Sequence, residues 1–142
     1  LPGGTHRVDT LVTLDGIRGV VDVELVEFAV SPDGSQIAYR LRSTDSGGEL
    51  DDTIHVATTG DLTRAIEIDR GGHGQGLQWT ADGEWVIAGI RGRIAQYSAD
   101  GRSREYLSPR GVSADNAILV DGQLWFNGVD NRGARIWTVE ME

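Results

Sequence analysis

The sequence predicts an all-β fold assembled from repeated four-stranded antiparallel meanders, the arrangement found in propeller blades. Three observations carry that expectation. Asp-Gly pairs at Asp33-Gly34, Asp82-Gly83 and Asp121-Gly122 each stand between two apolar segments. A second apolar echo, Ile54, Ile94 and Ile136, recurs at steps of 40 and 42 residues. No stretch of 12 residues keeps a helical period free of glycine or turn signals. Short strands repeating at such intervals, joined by Asp-Gly hairpins, are the signature of a β-repeat architecture.

The elements follow in order. Residues 25–30, 35–42, 53–58 and 63–68 form the first meander, and residues 76–80, 84–90, 93–98 and 103–107 the second. Residues 116–120, 123–129 and 135–140 supply only three strands. Each Asp-Gly pair is expected to form a type I′ hairpin turn, whose two central residues need positive φ. The polar stretch 43–52 (STDSGGELDD) is expected to be a loop inserted where the second repeat has only Arg91-Gly92. The strand missing from the third meander is expected at residues 7–14, which resemble the fourth strands of the other two. The whole chain, residues 1–142, is then a single unit of three blades, one of them split between the termini.

The segment Phe28-Ala29-Val30-Ser31-Pro32-Asp33-Gly34-Ser35-Gln36-Ile37-Ala38-Tyr39 resembles the repeat of TolB-type β-propellers, which also occurs in prolyl-oligopeptidase-like enzymes. Thr80-Ala81-Asp82-Gly83-Glu84-Trp85-Val86-Ile87-Ala88 is a looser copy, and the third repeat keeps Asp121-Gly122 and its following strand. The resemblance covers about residues 7 to 140. It implies a protein-binding or substrate-gating module and an extracytoplasmic bacterial setting, and it carries no catalytic residue. Closed propellers use roughly 4–8 blades, so three are too few. Head-to-tail pairing of two chains, each N-terminal strand completing the partner's third blade, would give a six-bladed homodimer without open sheet edges. The other expectation is that the chain is half of a longer propeller, in keeping with a start at Leu1-Pro2-Gly3-Gly4 that has neither Met nor a signal-peptide pattern.

Composition removes several function classes. The 142 residues include no Cys, which excludes disulfide scaffolds, Cys-ligated metal and thiol nucleophiles. All 13 basic residues are Arg, against 22 acidic ones, so the formal charge is −9. That balance argues against a phosphate-backbone binder, and nucleic acid is not an expected partner. No apolar run reaches the ~20 residues that a membrane-spanning helix requires.

The Gly-rich segment Arg70-Gly71-Gly72-His73-Gly74-Gln75-Gly76 joins the outer strand of one blade to the inner strand of the next. Its functional reading is a ligand mouth in which His73 and Gln75 offer polar groups; its structural reading is close passage of two chain segments, which glycine permits. Trp79, Glu24, Glu27, Asp115 and Asn116 are the other candidates to line the channel mouth, which is expected to gather residues 16–24, 71–76 and 111–115. Asp51-Asp52 is read as a solvated loop pair, and Asp130-Asn131-Arg132-Gly133 as a hairpin turn. The three histidines, His6, His55 and His73, lack metal-ligand spacing, so neither a metal nor a cofactor is expected. There is no Gly-x-Ser-x-Gly elbow. Function is therefore read as non-catalytic binding of a protein or small ligand. A hydrolase-type enzyme or its accessory propeller, and a purely structural half-propeller, are the alternatives.

Overall fold

The computed structural model describes residues 22–141 as eleven β-strands in three antiparallel meanders. Sheet I comprises β1 (Asp22–Val30), β2 (Gln36–Thr44), β3 (Leu50–Thr58) and β4 (Asp61–Arg70), hydrogen-bonded in chain order. Sheet II comprises β5 (Leu77–Trp79), β6 (Trp85–Ile90), β7 (Arg93–Ser98) and β8 (Arg104–Tyr106), also in chain order. Sheet III has β9 (Ser113–Val120), β10 (Gln123–Asp130) and β11 (Gly133–Glu140). The expected strand at 7–14, His6 and residues 16–21 of the expected mouth lie outside the described residues.

The sheets stack face to face because the strands alternate. Ile54 of sheet I packs with Ala88, Ile90, Ala95 and Tyr97 of sheet II. The opposite face of sheet II places Ile87 and Ile94 against Ala114, Ala117, Leu124 and Phe126 of sheet III. Polar groups lock both junctions. The Trp79 indole N–H donates to the Ala29 carbonyl at 2.9 Å. Across the second junction, the Gln78 amide donates to the Ala117 carbonyl and accepts from the Leu119 N–H, both at 2.8 Å. Gln78 thus extends β9's backbone pairing from a side chain.

Two expectations need correction. Half of the stretch 43–52 is strand: β2 runs to Thr44 and β3 starts at Leu50, leaving residues 45–49 as the turn. Asp45 caps that turn, its carboxylate accepting from the N–H groups of Gly47 and Glu49. Nor do all three Asp-Gly pairs form type I′ turns. Only Asp121 (φ 47°) and Gly122 (φ 77°) both take positive φ, whereas at the first two pairs only Gly34 and Gly83 do. There the aspartate stays in an ordinary conformation and accepts from the turn instead: Asp33 from Ser31 and Ser35, Asp82 from Thr80 and Glu84. An Asx-type carboxylate acceptor stabilises the turn without strained backbone. These contacts, the Ser35 hydroxyl foremost, bring the Asp33 carboxyl down to about 2.

Candidate functional site

Arg40 on β2 alternates in phase with Ala38 and so points at sheet II, where its side chain is wholly buried. A buried guanidinium is tolerated only when its donors are satisfied. Its Nε donates to Glu27 Oε1 at 2.8 Å and its Nη1 to Asp52 Oδ2 at 3.0 Å. Its Nη2 reaches across to the carbonyls of Gly89, at 2.6 Å, and Gly76, at 3.3 Å. Arg42 closes a fork on Asp52 from the rim, with Nε at 2.7 Å and Nη2 at 2.9 Å, and also donates to the Gly74 carbonyl. Burial alone would raise the Asp52 carboxyl, but the Arg42 hydrogen bond and the two positive charges outweigh it and leave it below the ordinary range. Asp52 is therefore the anchor of an ion network, and the reading of Asp51-Asp52 as a solvated pair is wrong for Asp52.

This network holds the Gly-rich segment. Asp52 exchanges backbone hydrogen bonds with Gly71 and Gly72 and takes the Gly74 N–H on Oδ2 at 3.1 Å. A Cβ on Gly74 would stand 2.3 Å from the Gly89 carbonyl oxygen, so only glycine allows this passage. Gly76 has φ 94°, which lets the chain turn into β5. The structural reading of the segment accounts for these glycines.

The inner strands then bring three of the expected residues together. Glu27 stands opposite Arg40, and Asp115 opposite Asn127, each beside a register shift in its strand pair. Glu27 Oε2 accepts from the Gly76 N–H at 3.3 Å, while Asp115 accepts from the Gln75 N–H at 3.1 Å and its side-chain amide at 3.3 Å. Sheets I, II and III thus meet in one line through Glu27, Gly76-Gln75 and Asp115. Asn116 flanks it, exposed, with φ 57° and its N–H on Asp115. Glu24 is exposed on β1 across from Arg42, and His73 is exposed on the loop, its carbonyl accepting from the Arg91 N–H. Trp79 stands apart at the far end of β5, buried against sheet I.

Chemically, the cluster is a hydrogen-bonded polar rim. Hydrogen bonds and arginine charges hold the carboxyls of Asp33, Asp52, Glu67, Asp69, Asp82 and Asp100 below the ordinary carboxylate range. His55 is pushed down chiefly by burial, stacked 5.1 Å from the Tyr39 ring on the face away from sheet II. The arginines flanking the second repeat are engaged: Arg91 and Arg104 lie at Asp69, Arg102 at Asp100, and Arg93 at Ser108 and 4.0 Å over the Tyr106 ring. A cleft of about 550 Å³ opens at the other end of the strands, between the Asp82 and Gly122 turns, with Gln96, Glu105 and Met141 among its walls. No group of three potential metal-ligating side chains gathers among the described residues.

Sequence reasoning missed Arg40, Arg42, Asp52 and Gln78. The available signal was phase: Arg40 alternates with Ala38, on the face that the first junction buries.

Stacked antiparallel meanders whose inner strands meet at one end define a β-propeller-like fold, and solved structures carry the same fold. The chain aligns with an AtxE2 isopeptidase at 18% identity and TM-score 0.56, covering 77% of this chain and 22% of that one. It aligns with a TolB structure from Agrobacterium tumefaciens at 14% identity and TM-score 0.51, covering 80% and 60%. The β-propeller domain of the Trilobed protease from Pyrococcus furiosus aligns at 16% identity and TM-score 0.53, covering 82% and 40%. The chain thus spans between about a fifth and three fifths of the length of these relatives. No protein-family model matches the sequence, and no curated protein does.

Proposed function

We propose that the chain is a three-blade propeller unit acting as a non-catalytic binding module, with sheets I to III as its blades. The recognition surface is the rim formed by Glu24, His73, Gln75, Asp115 and Asn116 at the loop end of the inner strands. The observation that carries this reading is the line Glu27–Gly76–Gln75–Asp115, which joins all three sheets by hydrogen bonds beside exposed polar side chains. Glu27 and Asp115 are engaged in holding the loop, which leaves Glu24, His73, Gln75 and Asn116 as exposed polar side chains on a braced surface. A pre-organised surface of this kind favours binding because little ordering entropy remains to be lost.

A second reading, an accessory propeller of a peptidase, is favoured by the likeness to the isopeptidase and to the Trilobed protease domain. It keeps the same rim and places the chemistry on another part of a longer chain.

An immobilised, fluorescently labelled peptide library tests the proposal. Peptides retained by the chain should be released intact, and retention should fall about tenfold or more in a His73→Ala/Gln75→Ala variant, a loss of about 1.4 kcal/mol. Cleavage of the peptides by the chain itself, or retention that the variant leaves unchanged, would overturn it.

A further inference from the structure

The repeat offers an internal standard for what each sheet face should touch. Ile54 pairs with Arg40 in sheet I, Ile94 with Gly89 in sheet II and Ile136 with Asn127 in sheet III, one structural position seen three times. Ile54 and Ile94 are each 0% exposed, because the next sheet covers them, whereas Ile136 is 75% exposed. The neighbouring position behaves alike: Ala38 and Ile87 are 0% exposed and Trp125 is 42% exposed. Ile118, directly opposite Trp125, and Val129 extend the same bare face.

The complementary surface is also present in the chain. Sheet II meets sheet I through Leu77 and Trp79, and Trp79 is 7% exposed. The corresponding residues of sheet I are Phe28, opposite Tyr39, and Val30, opposite Ile37; they are 61% and 48% exposed. Among the described residues, one end of the stack thus lacks a following sheet and the other lacks a preceding one. Exposed apolar faces on this scale mark interaction surfaces.

We infer that the bare face of sheet III receives the bare face of sheet I from a second copy of this chain, head to tail. This rests on reading the three sheets as propeller blades. Two such junctions close around a two-fold axis, giving six sheets, inside the roughly 4–8 that closed propellers use. Open heterologous stacking would grow without limit, and ring closure at two copies removes both bare faces at once.

The experiment is sedimentation of the 142-residue chain and of two variants, with far-UV circular dichroism as the check on folding. The wild-type chain should sediment at twice 15.3 kDa. Ile136→Asp and Phe28→Asp should each weaken the dimer by about a hundredfold or more, since each breaks both junctions, and mixing the two should restore part of the association through one intact junction. The chain has no Cys, so an Ile136→Cys/Phe28→Cys double variant treated with a short bis-maleimide should give a linked dimer without disturbing the fold. A wild-type monomer, as expected if the partner blades belong to a longer chain, would overturn the inference. So would a dimer indifferent to Phe28→Asp, which would mean that sheet III pairs with itself. Peptide retention at the rim is read separately, so failure of the dimer and failure of the binding reading are distinguishable.

Discussion

Arg40 Nη1 donates to Asp52 Oδ2 at 3.0 Å, and both side chains are completely withdrawn from solvent. The pair ties β2 to β3 within sheet I, while Nε of the same guanidinium holds Glu27 on β1 and Nη2 crosses to Gly89 of sheet II. Removing Arg40 leaves Asp52 to Arg42 alone and strips the Glu27 carboxylate and the Gly76 and Gly89 carbonyls of a donor, and breaking a buried ion network costs more than the pair contributes. Arg40→Met should therefore destabilise the chain by about 3–5 kcal/mol. Urea denaturation monitored by tryptophan fluorescence measures it, and a loss below about 1 kcal/mol would place the pair in effective contact with water.

Acid should weaken the fold through the carboxylates held below their ordinary range. Asp69 is raised by burial but lowered more by Arg91, the Tyr97 hydroxyl at 2.5 Å and the Arg70 N–H. A depressed carboxyl stabilises the folded state above its unfolded value of 3.8 and loses that contribution as pH falls through the lower folded value. Asp52 acts in the same direction. The unfolding free energy should thus be flat above about pH 5 and fall below pH 4. In Asp69→Asn the neutral-pH stability should drop by about 1–2 kcal/mol while stability at pH 3 changes less. Equal losses at both pH values would contradict the assignment.

How much of this was legible depends on whether a residue's partner is near in sequence. The Asp82-Gly83 turn and the Ile54, Ile94 and Ile136 register are local patterns, and the sheets follow them. Asp52 was hidden because its stretch is polar and Gly-rich like a loop; only the pairing of Asp52 with Arg42 across β2 and β3 makes it strand. Gln78 was invisible for another reason: its partners Ala117 and Leu119 lie about forty residues away, and no local pattern encodes them. Among the candidate site residues, Glu27, Gln75 and Asp115 converge because Glu27 and Asp115 lie within the inner strands β1 and β9 and Gln75 lies just ahead of β5. Trp79 was assigned to the channel from strand position alone, which does not say which way a ring on a three-residue strand turns.

Glycine tests the crossing of the loop over sheet II. A Cβ on Gly89 would lie 2.4 Å from the Gln75 carbonyl oxygen, a backbone atom held by the segment's own hydrogen bonds. Gly89→Ala should cost about 2 kcal/mol or more, in the range of overpacked core positions. Gly60→Ala is the control, because nothing lies within 4 Å of its Cβ position. Thermal unfolding of the two variants separates a steric effect from a general penalty on glycine replacement: comparable Tm values would remove the close-passage argument.

Gln78 tests the junction between sheets II and III. Its amide donates to one β9 carbonyl and accepts from one β9 N–H, so the side chain takes the place of a strand partner at a junction otherwise made by Ile87, Ile94, Leu124 and Phe126. Gln78→Leu keeps the bulk but leaves the Ala117 carbonyl and Leu119 N–H without those partners, each at about 1–3 kcal/mol when buried; both groups are only partly buried, so the total should lie near 2 kcal/mol. The loss should also be local. Hydrogen exchange at Leu119 should speed up by about tenfold or more in the variant, while amides of β2 and β3 in sheet I stay protected. Uniform acceleration across all three sheets would instead make Gln78 a determinant of global stability and remove its assignment to this junction.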